Sequence, residues 1–298
     1  MLLLTVVYNN SMEFITDEVN NIKKCFEHKG IILGIVESIA NNTHFIKFFC
    51  GDDNISDSNI KAFNLHIANL LYKIVAREFF KREMNNFLTE TYFFLRCDEL
   101  KQVRPKIEEA LICEGEISGP NMVYYINRKN IIIDKIAKCI EENNELNIRG
   151  FLTFRTKELK GDLECIVDKA VEEYMVEKEY NEFIKLLKYF VEVQESKVYE
   201  VNLLIEKNGN YKLRDEEGND LLGNMIMELP KVKFDPKENQ EELIISTLIT
   251  NAPQKVIIHC VEYFKNKELI QTISKVFENK VYYCDKCAEC KKNKKDRM

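Results

Sequence analysis

At 298 residues, with 45% hydrophobic and 31% charged residues, the chain has the length and composition of a globular protein with one large or several smaller domains. This composition excludes an intrinsically disordered chain, and the formal net charge of −6 argues against nucleic acid or anionic lipid as a partner. The N-terminal segment MLLLTVVYNN lacks the basic region of a signal peptide, and its apolar run is far shorter than the roughly 20 residues that span a bilayer. We therefore expect a cytoplasmic protein without membrane insertion.

The first part of the chain, residues 1–55, predicts a small β-α-β-β unit. Leu2–Tyr8 is typical of a short buried strand, and the apolar residues after it recur at helical intervals. Two β-branched and aromatic runs, Ile31–Ile39 and Phe45–Cys50, flank the turn-prone pair Asn41–Asn42. These runs indicate a β-hairpin.

The middle of the chain, residues 56–196, is predicted to be an α-helical body. Ser56–Ser58 supplies cap residues for a helix whose wide apolar stripe suits a core position. The pattern continues as two or three helices that end near Pro105, with a short helix after it that a breaker at Gly115–Pro120 terminates. From Ile148 to Gln194 the apolar residues keep three- and four-residue steps, which predicts at least two further helices.

A second hairpin is predicted around Lys207–Gly209. If the loop contains three residues with a bulge, Ile205 pairs with Tyr211 and Leu203 pairs with Leu213. A two-residue turn would shift the pairing by one position and disrupt this apolar match. We therefore expect the register of the longer loop.

The C-terminal part, residues 197–298, is predicted to add a β-α-β crossover to this hairpin. Lys255–Cys260 is typical of a buried strand, Lys267–Phe277 of a helix, and Lys280–Tyr283 of a second strand. A crossover of this length makes the two strands parallel. The predicted fold class is therefore α+β, with an N-terminal βαββ unit, a helical body, and a C-terminal hairpin plus βαβ unit.

Three clustered cysteines near the C-terminus, Cys284, Cys287 and Cys290, form a C-x2-C-x2-C pattern. This spacing lets neighbouring thiolates reach one soft metal ion, and zinc needs a fourth ligand. Parallel strands joined by a crossover end at the same edge of the sheet, which brings the end of the first strand close to Cys284. Cys260 would complete an all-thiolate shell, and His259 would complete a shell of three thiolates and one imidazole. We predict a metal site at this edge.

Two other interpretations of the cysteines stay open. An iron–sulfur cluster is the first, since the spacing matches the first three cysteines of the bacterial ferredoxin run, although its fourth Cys-Pro is absent. A reduced terminal segment without metal is the second. The basic residues after Cys290 are interpreted as a solvated charge run rather than as a nucleic-acid contact.

Signatures of enzymes are absent from the sequence, which contains no G-x-G-x-x-G, Walker A, H-E-x-x-H or G-x-S-x-G pattern. The four histidines lie far apart, and the acidic block Ile148–Gln194 has no histidine for a di-iron site. Its carboxylates are better explained as solvated or partner-facing surfaces. We therefore predict no catalytic residue.

The same block resembles a known family. The runs Phe151–Arg155, Ile166–Tyr174 and Val176–Val191 are similar to the YtxC-like family, and Pro253, His259 and the terminal cysteines fit it as well. We predict that the block binds a protein partner through Arg155, Asp168, Glu173, Tyr174, Glu177, Lys178, Tyr180 and Phe183.

The resemblance implies a sporulation-associated protein of an endospore-forming Firmicute. It implies no activity, fold or catalytic residue. We therefore predict a non-enzymatic interaction or regulatory factor with an unknown protein partner. The alternative is a metal- or redox-dependent factor or enzyme with its cysteine-ligated site at the edge of the C-terminal sheet.

Overall fold

Two compact units, Met1–Met175 and Val176–Met298, make up the chain. The computed structural model describes residues 1–9, 14–51, 56–112, 121–141, 143–205, 210–228, 240–264 and 266–295. Across these ranges each unit contains a four-stranded sheet and helices around an apolar core of its own. The predicted α+β class is confirmed. None of the described helices is long and apolar enough to cross a membrane.

The first unit begins with the predicted β-α-β-β arrangement. Its sheet has the strand order β2-β3-β1-β4, and its first helix precedes β2. The elements are β1 (Leu2–Asn9), α1 (Phe14–Glu27), β2 (Leu33–Ala40), β3 (Thr43–Cys50) and β4 (Glu145–Asn147). Strand β4 pairs in parallel with β1 and was not predicted, since a three-residue segment with one apolar residue has no measurable periodicity.

The hairpin between β2 and β3 turns at Asn41 and Asn42, as predicted. Both residues lie in the left-handed region, with φ of 47° and 63°. Two consecutive left-handed residues form the turn whose twist matches that of the flanking strands, and asparagine tolerates this conformation better than most residues.

The helical body contains α2 (Asp57–Arg82), α3 (Met84–Thr91), α4 (Cys97–Ile112), α5 (Met122–Glu141) and α6 (Ile148–Val193). Ser56 caps α2 as predicted, because its Oγ accepts a hydrogen bond from the Asn59 N–H at 3.2 Å. The Tyr72 hydroxyl on α2 donates to the Leu111 carbonyl on α4 at 2.8 Å inside the core. The residues around Gly115, predicted to break the helical pattern, lie outside the described ranges.

Two predicted helix boundaries were wrong. Helix α4 continues through Pro105, because Val103, Ile107 and Leu111 form one fully buried face that holds the helix together. The segment predicted as at least two helices is the single 46-residue helix α6. Gly161 in its interior costs the helix about 1 kcal/mol relative to alanine, which does not interrupt a helix with a continuous apolar stripe.

The second unit has the strand order β6-β5-β7-β8, with β5, β7 and β8 parallel and β6 antiparallel to β5. The strands are β5 (Glu200–Ile205), β6 (Tyr211–Asp215), β7 (Lys255–His259) and β8 (Val281–Cys284). Its own helices are α7 (Leu221–Glu228), α8 (Gln240–Asn251), α9 (Lys267–Phe277) and α10 (Ala288–Lys295).

Both predicted features of this unit are confirmed. In the hairpin Ile205 pairs with Tyr211 and Leu203 pairs with Leu213, while the loop residues 206–209 lie outside the described ranges. Strand β7, helix α9 and strand β8 form the parallel crossover. Asn266 starts α9, because its side-chain oxygen accepts from the N–H groups of Glu268 and Leu269.

Candidate metal centre

The parallel strands β7 and β8 bring His259 and Cys284 side by side. The two residues are register partners at the carboxyl ends of their strands. After His259 the chain turns sharply through Cys260, whose φ of 52° lies in the left-handed region. The Cys260 N–H donates to the Cys284 carbonyl oxygen at 2.8 Å, which fixes the two strand ends together.

A tight turn after Cys284 brings the other two cysteines back to the same point. Cys287 immediately precedes α10, and its sulfur accepts the Cys290 N–H at 3.3 Å in the first turn of that helix. An exposed ion pair of 3.2 Å joins Glu289 of α10 to Arg214 of β6.

The ligand atoms of His259, Cys284, Cys287 and Cys290 all lie within 4.8 Å of one another. His259 Nδ1 is 3.4 Å from each of the sulfurs of Cys287 and Cys290, and the sulfurs of Cys284 and Cys290 are 4.0 Å apart. A tetrahedral zinc ion with bonds of about 2.3 Å to sulfur and about 2.0 Å to nitrogen separates its ligand atoms by about 3.5 to 3.8 Å. The cluster is therefore close to the size needed for one tetrahedral ion.

The imidazole of His259 is oriented by Asn202 on the neighbouring strand β5. The Asn202 amide nitrogen donates to Glu200 at 3.2 Å, so its oxygen faces His259 Nε2 at 2.9 Å. Since an amide oxygen only accepts, Nε2 must carry the proton and Nδ1 must present its lone pair to the sulfurs. Lys255 holds Glu200 in place at 2.8 Å. This hydrogen-bonded support of a histidine ligand is typical of metal sites.

The protonation states also suit metal binding. Burial lowers the pKa of His259, which favours the neutral imidazole that a metal requires. Backbone N–H groups of Lys286 and Cys287 donate to the Cys284 sulfur and lower the pKa of its thiol. Burial raises the pKa of Cys290, which keeps this thiol protonated without a cation, and a bound cation would displace the proton.

Cys260, the other candidate for a fourth ligand, lies outside the cluster. Its buried sulfur is 3.9 Å from the Cys290 carbonyl oxygen. Of the five residues proposed from the sequence, the structure thus brings together His259 and the three cysteines of the C-terminal run. Asn202 was not anticipated, because a single asparagine 57 positions upstream carries no spacing signal.

The eight residues predicted to bind a partner lie along α6, four of them in each unit. In the first unit Arg155 pairs with Glu158 at 2.9 Å, and Asp168 accepts a hydrogen bond from the Tyr92 hydroxyl at 2.7 Å. Glu173 hydrogen-bonds the Tyr125 hydroxyl, and the Tyr174 hydroxyl donates to Gln102 at 3.2 Å. In the second unit Lys178 pairs with Glu182 at 3.7 Å, Tyr180 hydrogen-bonds Thr272 at 3.0 Å, and Glu177 and Phe183 are exposed. Several of these side chains therefore have partners within their own unit.

An exposed apolar row that was not predicted from the sequence runs along the second half of α6. Val176, Phe183 and Phe190 follow one another at seven-residue steps, and so do Leu186 and Val193. All five side chains are between 42% and 62% exposed. The pattern could have been found by testing the block for a seven-residue repeat.

Comparison with known proteins gives the family. The sequence model of the YtxC-like family matches residues 65–282, which is well over half of the chain. The matched region includes His259 and ends before Cys284. The chain is 26% identical, over 206 residues, to the uncharacterised protein YtxC of Bacillus subtilis (strain 168), with 66% of this chain and 69% of that protein covered. No solved structure matches. The chain belongs to the YtxC-like family.

Proposed function

We propose that this protein is a non-enzymatic interaction or regulatory factor associated with sporulation, and that a zinc ion holds the end of its second unit together. The observation that supports the zinc role is the closed set of four protein ligands, His259, Cys284, Cys287 and Cys290. Structural zinc sites use four protein ligands, whereas catalytic sites keep one position for water or substrate. A closed shell therefore favours a structural ion over a catalytic one.

The short distances among the four ligand atoms favour a single metal ion over an iron–sulfur cluster. In a four-iron cluster each cysteine binds a different iron atom, and in a two-iron cluster the four ligands are divided between two irons, so the ligand atoms as a set lie farther apart than those of one ion. All four ligand atoms of this site lie within 4.8 Å of one another, which fits ligands on one centre. A ligand set of three thiolates and one imidazole suits zinc.

The metal content of the purified protein tests this role. We expect stoichiometric zinc that survives dialysis, and a colourless protein. Cys287→Ser should lose the zinc and melt at a lower temperature. Cys25→Ser, which removes an exposed thiol from α1, is the matched control and should keep the zinc and the wild-type melting temperature. Zinc retained by the Cys287→Ser variant, or a coloured and oxygen-sensitive protein, would contradict a structural zinc ion.

For the interaction role, the proposed partner surface is the exposed apolar row of α6, which includes Phe183. The opposite apolar residues, Ile184, Leu187 and Val191, are buried in the core of the second unit, so the exposed row is not needed for that core. Apolar residues at seven-residue spacing are the pattern by which one helix packs on another. We infer that the partner presents a helix to this row.

Affinity capture from sporulating cells tests the partner surface. The double variant Leu186→Asp, Phe190→Asp should lose a protein that the wild-type chain captures, with the melting temperature unchanged. Lys185→Asp adds a carboxylate at another exposed position of the helix and should retain that protein. Equal capture by all three chains would exclude the row as the binding surface.

The sporulation role rests on the family resemblance alone. Deletion of the gene in a spore-forming host should reduce the count of heat-resistant spores, and the wild-type gene should restore it. Unimpaired spore counts would contradict the association.

A redox-dependent factor is the second candidate, favoured by the lowered pKa of the half-buried Cys284 thiol. Hydrogen peroxide would oxidise two of the thiolates to a disulfide, release the zinc, and be reduced to water. Zinc release at micromolar peroxide that a dithiol reverses would support a redox role. Zinc retained under these conditions would support the purely structural role.

A further inference from the structure

A cavity of about 1240 Å³ opens in the first unit where the parallel strands β1 and β4 end. Val7 of β1 is the register partner of Asn147, the last residue of β4. The cavity is lined by residues at the end of β1, in the second halves of α2 and α4, and in the first turns of α6. The carboxyl ends of parallel strands are a frequent place for ligand sites in α/β sheets.

The cavity is basic in a chain whose net charge is negative. Five cationic residues line it, and the carboxylates in its lining are Glu78 and Glu108. The lining thus carries an excess of positive charge while the chain carries −6. The cationic residues are Arg77, Lys81, Arg82, Arg104 and Arg149.

The fold itself neutralises this charge only in part. Arg82 pairs with Glu78 at 2.6 Å, and the Arg104 guanidinium lies 5.2 Å from the centre of the Phe80 ring. Among the described residues neither Lys81 nor Arg149 forms an ion pair. Like charges gathered around one space repel one another, and this repulsion is relieved when an anion occupies the space.

The remaining wall of the cavity is apolar. Ile74, Phe80, Ile112 and Leu152 line it, together with the ring of Tyr8. The space is larger than the roughly 300–1000 Å³ of common small-molecule sites. It can therefore hold an anionic group together with an apolar or aromatic body.

We propose that this cavity binds a small molecule with two or more linked phosphates and an aromatic body. Four of the five cations are arginines, whose planar guanidinium forms paired hydrogen bonds with phosphate oxygens. A diphosphate supplies several negative charges at one end of the ligand, which matches the excess of cations better than a single carboxylate does. This site is independent of the zinc cluster, which lies in the other unit.

Calorimetric titration of the full-length protein with pyrophosphate and with ADP at low ionic strength tests the proposal. We expect both to bind in a saturable way and ADP to bind more tightly, because its base contacts the apolar wall. Arg149→Gln and Arg104→Gln should each weaken binding about ten-fold, as expected for loss of one charge-assisted hydrogen bond. Equal affinity for the two probes would refute the role of the apolar wall.

Lys61→Gln is the matched control, since it removes one exposed positive charge from the first half of α2, about 20 Å along the helix from the first α2 residue of the cavity lining, Ile74. The affinity of this variant for pyrophosphate should stay within about two-fold of wild type, because the charge lies far from the lining. The melting temperatures of all variants without ligand should agree. No saturable binding at millimolar concentration, or equal weakening by Lys61→Gln, would overturn the proposal.

Discussion

Asn202 determines which nitrogen of His259 faces the three sulfurs. It has no direct contact with a bound ion in the proposed site, and it acts by holding the imidazole in one tautomer. The Nε2–H must donate to the amide oxygen, so Nδ1 is left as the ligand atom. A supporting residue of this kind contributes to metal affinity through preorganisation rather than through charge.

The substitution Asn202→Ala removes this support from the imidazole. We expect its zinc affinity to fall about 10- to 100-fold, because His259 is then free to rotate or change tautomer. Competition with a chromophoric chelator measures the change. Asn224→Ala, at an exposed position of α7, should keep the wild-type affinity. Equal affinity of both variants would show that the imidazole needs no such support.

His66 on α2 makes the stability of the first unit depend on pH. Burial, with a smaller contribution from Lys29, lowers the pKa of His66, and its ring packs edge-on against Phe26. His66 therefore binds a proton less readily in the folded state than in the unfolded chain. The free energy of unfolding should decrease as the pH falls below about 6.5, the ordinary histidine value.

Urea unfolding between pH 7 and pH 5 measures this dependence. His66→Gln should lose stability less steeply than wild type as the pH falls, because it has no group to protonate there. Lys29→Ala removes only the smaller cause of the lowered pKa, so the slope of its stability against pH should lie between those of wild type and His66→Gln. Identical slopes in wild type and His66→Gln would refute the assignment.

At the scale of elements, hydrophobic patterns predicted most of the fold. The apolar register of the second hairpin placed Ile205 opposite Tyr211, and the spacing of the crossover made β7 and β8 parallel. The short strand β4 escaped prediction because it depends on pairing with β1, about 140 positions away in sequence, rather than on its own three residues.

The cysteine spacing predicted where a metal cluster would lie, but it left the choice between His259 and Cys260 open. Adjacent residues of a strand point in opposite directions, and the left-handed turn at Cys260 redirects the chain further. Only side-chain positions show that the imidazole, and not the neighbouring sulfur, faces the three thiols.

The turn of the first hairpin gives an element-level prediction. Asn42 has a φ of 63°, which a β-branched residue adopts only at a cost. Asn42→Val should lower the free energy of unfolding by about 1–2 kcal/mol, whereas Asn42→Gly should keep the wild-type value. Urea unfolding measures the free energy of unfolding of the wild type and the two variants. Equal stability of the valine and glycine variants would contradict a left-handed residue at this position.

For the whole molecule, the two separate cores mean that the proposed zinc ion stabilises one unit selectively. The core of the first unit includes β1, β3 and α2, while the cluster is attached to β7, β8 and α10 of the second. Binding of an ion to the folded state alone stabilises the structure that holds its ligands. The units should therefore respond differently to a chelator.

Hydrogen exchange measured by mass spectrometry tests this difference. With a zinc chelator, exchange should become faster in β7, β8 and α10 and remain unchanged in β1, β3 and α2. Cys284→Ser should show the same pattern without chelator, and added zinc should reverse the chelator's effect but not that of the substitution. Uniform acceleration in both units would mean that the ion stabilises the whole chain, and no change would mean that the second unit folds without it.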